Sequence, residues 1–500
     1  MKRFFFLLSA AASLFLLSGA CIKMGQDFKK PETEIKMPLS YEYTPIITEV
    51  LAPQPEERWW NDFGDSELDR LVEEALKRNL DIRKSAAAIL ELRARFIQTR
   101  ADRFPMVGFQ AQGQRQHQPG TVSIPGYTFG GTTSEYNLSL PASFELDLWG
   151  RLARAEEAAL ADLMQAEENR RTIAQSVVAE TITLYLQIEA IERRISIIEE
   201  SIQNYRRSLG LVENRYERGL TSILDLRQAR RTFARAEAYL PSLFQELGIT
   251  QQKLAVLLGR YPKTRERREH PEAYFQRPAP VPPGLPSQLL LRRPDIKAAE
   301  AKLRALNARI GVAKASRFPA ITLTGGFGYS SDELSQLVQP QSLLWNLALG
   351  LVQPLFDAGR LKAGQRAAES RYQQGIAEYA KTLLTAFSEV EKTLLTRKEQ
   401  LERREATQQF FIEAKATQKA AETRYLRGLV DYLTVLEAQE TRSNAAEDLV
   451  FVDLAILSNR VALHRALGGG WGRPAPVEPD RDSPVLNTIP ILPMKQEIRD

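Results

Sequence analysis

The sequence predicts a mixed fold, mainly α with a membrane β-barrel component, laid down twice in one chain. Three observations carry this. Landmark residues recur at a near-constant offset, two spans of 68 residues contain no proline, and four stretches alternate apolar with polar or small residues. One helix of 68 residues would run roughly 100 Å. Period-two alternation over about ten residues is the signature of a transmembrane strand.

The duplication fixes the frame. Asp81-Ile82 and Arg103-Phe104-Pro105 reappear as Asp295-Ile296 and Arg317-Phe318-Pro319, at an offset of 214. Gly150-Arg151-Leu152 reappears as Gly359-Arg360-Leu361, and Arg218-Gly219-Leu220 as Arg427-Gly428-Leu429, both at an offset of 209. The expected organisation is a signal segment at 1–20 and an N-terminal segment at 21–65, followed by a first repeat at 66–260. A Pro-rich linker at 261–293 leads to a second repeat at 294–470 and an irregular tail at 471–500.

Each element has its own signal. Lys2 and Arg3 precede the apolar run Phe4–Leu17, small residues and the sole cysteine, Cys21. This reads as a secretion signal, too short for a comfortable membrane helix. Cys21 is then either a chance thiol or the acylated first residue of a lipoprotein. Ile22 after it, in place of aspartate, points to the outer membrane. In each repeat a helix leads to Arg-Phe-Pro, where proline stops it.

Two strand-like stretches follow each time: near 107–112 and 138–148, then 321–328 and 343–357. Each taken singly also fits a half-buried hairpin on a soluble domain. The first proline-free span carries a heptad seam, Leu184, Ile188, Ile191, Ile195, Ile198, Ile202, Tyr205, Leu209, Val212 and Tyr216. The second has Arg397 and Arg404 at matching positions, so a wetter face is expected there. Past Gly219 and Gly428 shorter helices follow. Four strands cannot close a membrane barrel, so the chain must oligomerise: a dimer gives eight strands and a trimer twelve.

Composition excludes other classes. A net charge of +5 over 500 residues is no basic stripe for nucleic acid. Three scattered histidines give no metal-ligand spacing, and no phosphate loop or nucleophile elbow is present. An enzyme is therefore disfavoured, with no cofactor and no metal expected.

Trp59-Trp60, Phe63-Gly64-Asp65, Asn79-Leu80-Asp81-Ile82, Leu285-Pro286-Ser287, Arg292-Arg293-Pro294-Asp295-Ile296 and Ala466-Leu467-Gly468-Gly469-Gly470-Trp471 are further landmarks. With them the chain resembles the TolC-like outer-membrane factor family, in its multidrug-efflux lipoprotein branch. The resemblance implies a homotrimer with a twelve-strand barrel in the outer membrane and a twelve-helix barrel crossing the periplasm. It implies export of small molecules, a periplasmic adaptor and a proton-driven inner-membrane pump as partners. It also implies N-acyl and diacylglyceryl lipid on Cys21.

Gly219, Leu220 and Thr221, with Gly428, Leu429 and Val430, are the expected adaptor-contacting tips, Leu220, Leu429 and Val430 being expected exposed. Leu433, Glu437 and Glu440, on one helix face, are the expected gate, with Asp225 as a second acidic ring. The resemblance implies aspartate at the position of Glu437 and a basic partner near Glu440; the chain departs from the family there, so no ion-pair latch is expected. Two other readings are a protein-secretion duct and a non-porous coiled-coil scaffold.

Overall fold

A computed structural model describes residues 23–31, 35, 38, 40–43, 58–124, 127–264, 281 and 292–469. The signal segment, Cys21, most of the Pro-rich linker and the tail from Trp471 lie outside these residues. The helices are α1 (Ser66–Arg78), α2 (Leu80–Ala101), α3 (Arg151–Glu217), α4 (Ile223–Leu257), α5 (Pro294–Ala315), α6 (Arg360–Leu426) and α7 (Tyr432–Ala466). The strands are β1 (Met106–Val107), β2 (Gln110–Ile124), β3 (Tyr127–Leu146), β4 (Ala320–Ser331) and β5 (Leu343–Val352). The two long helices have 67 residues each and the two that follow them 35 each, so the second repeat copies the first.

The chain divides into two compact units. One holds the whole sheet with the adjoining helix ends. All strand pairs are antiparallel, in the order β2–β3–β4–β5, with β1 pairing β3 below β2. The register sorts the side chains by face. Leu138, Leu140, Phe144 and Leu146 stand beside Tyr329, Phe327, Leu323 and Ile321, which stand beside Leu343, Trp345, Leu349 and Leu351. The opposite face carries Asn137, Ser139, Ser143, Thr322, Thr324 and Asn346. One face is thus apolar and the other mostly polar or small, Leu344 and Val352 excepted, which is the division a membrane barrel wall requires. All ten residues of β5 are exposed.

Strand limits differ from expectation in three places. The interruption between β1 and β2 lies beside Pro141, which cannot donate to the ladder; its carbonyl accepts from Gly108 N–H at 2.9 Å. The first hairpin is far longer than ten residues, since Tyr127–Glu135 pair only with β2 and project past β4. The last strand stops at Val352, not 357, where Gln353-Pro354 follows. Every strand-to-helix junction lies at the opposite end from the β2–β3 turn. There Asp147 caps α3 at Leu152 and Ala153 (3.1 and 2.8 Å), and Asp357 caps α6 at Leu361 (2.8 Å).

The second unit is helical. Its core takes Leu184, Ile188, Ile191, Ile195, Ile198 and Ile202 of the heptad seam, with Trp59, Trp60, Leu68, Leu243 and Leu247 packed among them. Tyr216, at the end of the seam, is exposed. Asn79 accepts from the N–H groups of Asp81 and Ile82 and donates to Leu257 O at 2.9 Å, so one side chain starts α2 and ties down the end of α4.

The polar positions on α6 are not simply wet. Arg404 reaches buried Asp453 at 2.6 Å, with Arg193 at 3.7 Å. Burial pushes the Asp453 carboxyl up against the pull of both arginines. His464 is buried, stacked on Trp59 with centroids 4.4 Å apart. Burial, helped by the Arg460 cation, lowers its pKa to about 3.

Two predictions follow from this packing. A Cβ on Gly328 would lie 2.1 Å from Leu138 O and 2.7 Å from Ser139 Cα. Gly328→Ala is therefore expected to part β3 from β4 at a cost of at least about 2 kcal/mol and to reduce barrel insertion, measured as folded protein in outer-membrane fractions. Wild-type yield would show that the strands part freely. His464 stays neutral in the fold well below its ordinary pKa of 6.5, so its contribution is complete above that pH and is lost as pH falls toward about 3. Between pH 7 and 4 the wild type should lose roughly 3 kcal/mol more stability than His464→Phe, read from tryptophan fluorescence melts. Parallel profiles would mean that the imidazole protonates in the folded chain.

Candidate functional site at the interhelical turns

The α3–α4 and α6–α7 turns are built alike. Each long helix ends on a glycine in the left-handed region, Gly219 at φ 69° and Gly428 at φ 73°. Leu220 N–H returns to Arg215 O at 2.8 Å, and Leu429 N–H to Arg424 O at 2.9 Å, satisfying carbonyls the helix end leaves free. The next helix is capped in both turns with the partners exchanged. In the first, Ser222 is the cap and Asp225 closes the box; in the second, Asp431 is the cap and accepts from Thr434 N–H at 3.0 Å. Burial opposes the ionised form of Asp225, yet hydrogen bonds from Thr221 (2.7 Å) and Ser222 (2.8 Å) hold its carboxyl below the usual range. Asp225, expected as a second acidic ring, therefore has its carboxylate committed to the turn, and Thr221 is its donor.

Leu220 is 63% exposed and Leu429 61% exposed. Val430, expected exposed beside them, is half-buried against the cluster of Val212, Tyr425, Tyr432 and Leu436. Tyr432 is buried, its ring 5.7 Å from Tyr425, and burial raises its hydroxyl well above the phenol range. The pair anchors the start of α7, with the Arg215 guanidinium 4.8 Å above the Tyr425 ring.

The three expected gate residues divide. Leu433 and Glu437 are exposed, and among the described residues no ion pair holds Glu437. Glu440 is half-buried and pairs with Arg235 of α4 at 2.5 Å. Arg442, two residues on, pairs instead with Glu200 at 2.7 Å, so the basic partner of Glu440 comes from the other repeat. Arg227, Arg230, Arg231 and Arg235 form a basic stripe on α4, a signal that could have suggested it.

A cleft of about 420 Å³ opens between α3, α6 and α7, lined by Arg207, Leu211, Lys415, Lys419, Glu422 and Arg442 among others. Gln439 crosses its floor, donating to Ser208 at 2.9 Å and Glu422 at 3.0 Å. The site offers exposed leucines, unpaired charge and a polar cleft. Among the described residues no group of three or more His, Cys, Asp or Glu could hold a metal ion. The arrangement suits docking and the passage of solutes.

Comparison with known proteins agrees. The model of the family described as outer membrane efflux protein matches residues 71–260 and again 285–469, once for each repeat. The chain is 31% identical over 471 residues to "Probable outer membrane lipoprotein SilC" of Salmonella typhimurium, covering 93% of this chain and 98% of that protein. It is 34% identical over 468 residues to "Probable efflux pump outer membrane protein TtgC" of Pseudomonas putida, covering 93% and 96%. The open-state crystal structure of the Neisseria gonorrhoeae MtrE outer membrane channel superposes with a TM-score of 0.80 at 28% identity, covering 90% of this chain and 99% of that one. With one apolar sheet face, paired long helices and two matched repeats, the chain belongs to the outer membrane efflux protein family, the efflux channels of the outer membrane.

Proposed function

We propose that the chain is the outer-membrane duct of a tripartite efflux system, carrying small molecules passively outward. The observation that carries this reading is the sheet, four strand positions wide because β1 and β2 share one edge of β3, with one apolar face and an exposed strand at its edge. In hydrocarbon the free backbone groups at a sheet edge must be paired, and copies of the same chain supply the pairing. Three copies give twelve strands, the count that the family resemblance implies, with the apolar face to lipid and the polar face to water. The acyl groups on Cys21 anchor each copy from the inner leaflet. The tips receive a periplasmic adaptor, which links the duct to a proton-driven inner-membrane pump. Glu437, exposed and unpaired, supplies a ring of three carboxylates at the constriction, next to Leu433.

Photo-crosslinkers at Leu220 and Leu429 in living cells are expected to capture a periplasmic adaptor, identified by mass spectrometry. Cells that make the oligomer yet yield no capture would count against docking at the tips. In planar bilayers Glu437→Gln is expected to lower the cation-to-anion permeability ratio by roughly threefold or more. An unchanged ratio would place the ion-selective constriction elsewhere.

A further inference from the structure

The duplication supplies an internal control for the cleft between α3, α6 and α7. Helices α3 and α6 span equivalent residues, as do α4 and α7, all at the offset of 209. Each cleft residue on α6 or α7 therefore has a counterpart in the first repeat.

At one position an amide stands in place of a cation. Arg230 of α4 pairs with Glu213 of α3 at 2.9 Å. Their counterparts are Gln439 and Glu422, joined by a hydrogen bond of 3.0 Å. For holding two helices together the ion pair serves at least as well. What the amide adds is an acceptor. Gln439 Nε2 donates to Ser208 at 2.9 Å and to Glu422, which uses both of its protons. Its Oε1 is buried, and among the described residues nothing donates to it. At a second position a tyrosine is drawn inward. Tyr216 is 40% exposed, whereas its counterpart Tyr425 is 5% exposed and has a hydroxyl without a partner among the described residues. Gln439 is 4% exposed, and both side chains line the cleft. Buried polar atoms are normally paired, because each one left alone destabilises the fold.

The charges differ as well. Arg206 has Glu237 at 3.7 Å. Its counterpart is Lys415, and the residue matching Glu237 is Ala446, so that acid is gone. One turn on, Lys419 stands where the first repeat has Gly210. Two lysines one turn apart on a helix repel each other. Arg207 lines the cleft from α3 and, like both lysines, makes no ion pair among the described residues. The acids of the cleft are already engaged, Glu200 by Arg442 at 2.7 Å and Glu422 by Gln418 at 2.8 Å. The cleft thus combines cations that lack acids with a buried acceptor and a buried hydroxyl. Its volume of about 420 Å³ lies in the range of small-molecule sites.

The cations call for several negative charges on one ligand. Gln439 Oε1 calls for a hydrogen-bond donor, which an ionised carboxylate cannot supply. A hydroxyl group on the same molecule supplies it. We propose that the cleft binds a small hydroxylated polycarboxylate, held by Lys415, Lys419 and Arg207 and recognised by Gln439 and Tyr425. With α3 on one side and α6 and α7 on the other, the bound acid bridges the two repeats and stabilises the helices in this arrangement. Such binding does not depend on the chain acting as a duct.

Citrate is the probe, with three carboxylates and one hydroxyl. Tricarballylate, the same skeleton without the hydroxyl, is its control. Both are titrated calorimetrically into the full-length chain, folded and purified in detergent. Citrate should bind once per chain and roughly tenfold more tightly than tricarballylate. Gln439→Arg, which copies the pair already present in the first repeat, should erase that difference. Tyr425→Phe keeps the ring and should weaken citrate by roughly threefold. Lys415→Gln together with Lys419→Gln should weaken both acids by roughly tenfold or more, while Arg206→Gln at the counterpart position should change neither.

No heat of binding with citrate would overturn the site. Equal affinity of the wild type for both acids would mean that Gln439 Oε1 meets only water, and would overturn recognition of a hydroxyl. Citrate binding that survives the double lysine substitution would place the acid elsewhere on the chain. Capture of an acidic protein segment by a photo-crosslinker at Lys419, with citrate unable to displace it, would assign the cleft to a partner protein instead.

Discussion

A sheet in hydrocarbon has no water to satisfy its edges, and this constraint orders the whole molecule. Among the described residues no strand pairs with the outer edge of β5, nor with that of β1 and β2 on the other side. Each unpaired backbone group left in lipid costs several kcal/mol, so the single chain is an incomplete object in the membrane. The apolar face and the open edges are what the proposed closure by copies would satisfy. The helical unit obeys another rule, because water is present. There the long helices bury an isoleucine seam and admit arginines and acids wherever these find partners.

Those buried pairs specify more than they stabilise. Arg194 joins Glu246 at 3.1 Å, Glu447 at 3.2 Å and Tyr239 at 2.6 Å, and Arg404 joins Asp453. A well-packed apolar substitute would hold as firmly. Sliding α6 by one turn along α7 would instead strand Asp453 in the interior, at roughly 3–5 kcal/mol. Helices of 67 residues have many near-equivalent registers, and the ion pairs penalise the wrong ones.

Much of this was legible in the sequence, for stated reasons. The long helices announce themselves because proline is absent and the seam keeps its four-three spacing. The apolar strand segments show alternation because only one face meets lipid. The far part of the first hairpin was not legible. From Gly113 to Glu135 the sequence is mostly polar residues and glycine, so no apolar period runs through it. At the turns, glycine and the exposed leucines could be read, because φ near 70° at a helix end calls for glycine. The partner of Glu440 was hinted at only by the basic stripe on α4, since Arg235 is 205 residues away and the pairing exists only once the repeats fold together. Asp225 reads in the sequence as a second acidic ring, and only the positions of Thr221 and Ser222 reveal it as part of a cap.

The length of β3 has a consequence outside the envelope. Twenty residues long, it outruns β4, and Tyr127–Glu135 stand with β2 alone on the side away from the helices. Nine residues of strand extend about 30 Å. In the orientation proposed for the duct, this ribbon is what an antibody, a phage or a chemical label would meet first. It can be bound or tagged without entering the conduit, which makes it the natural handle for following the protein on intact cells.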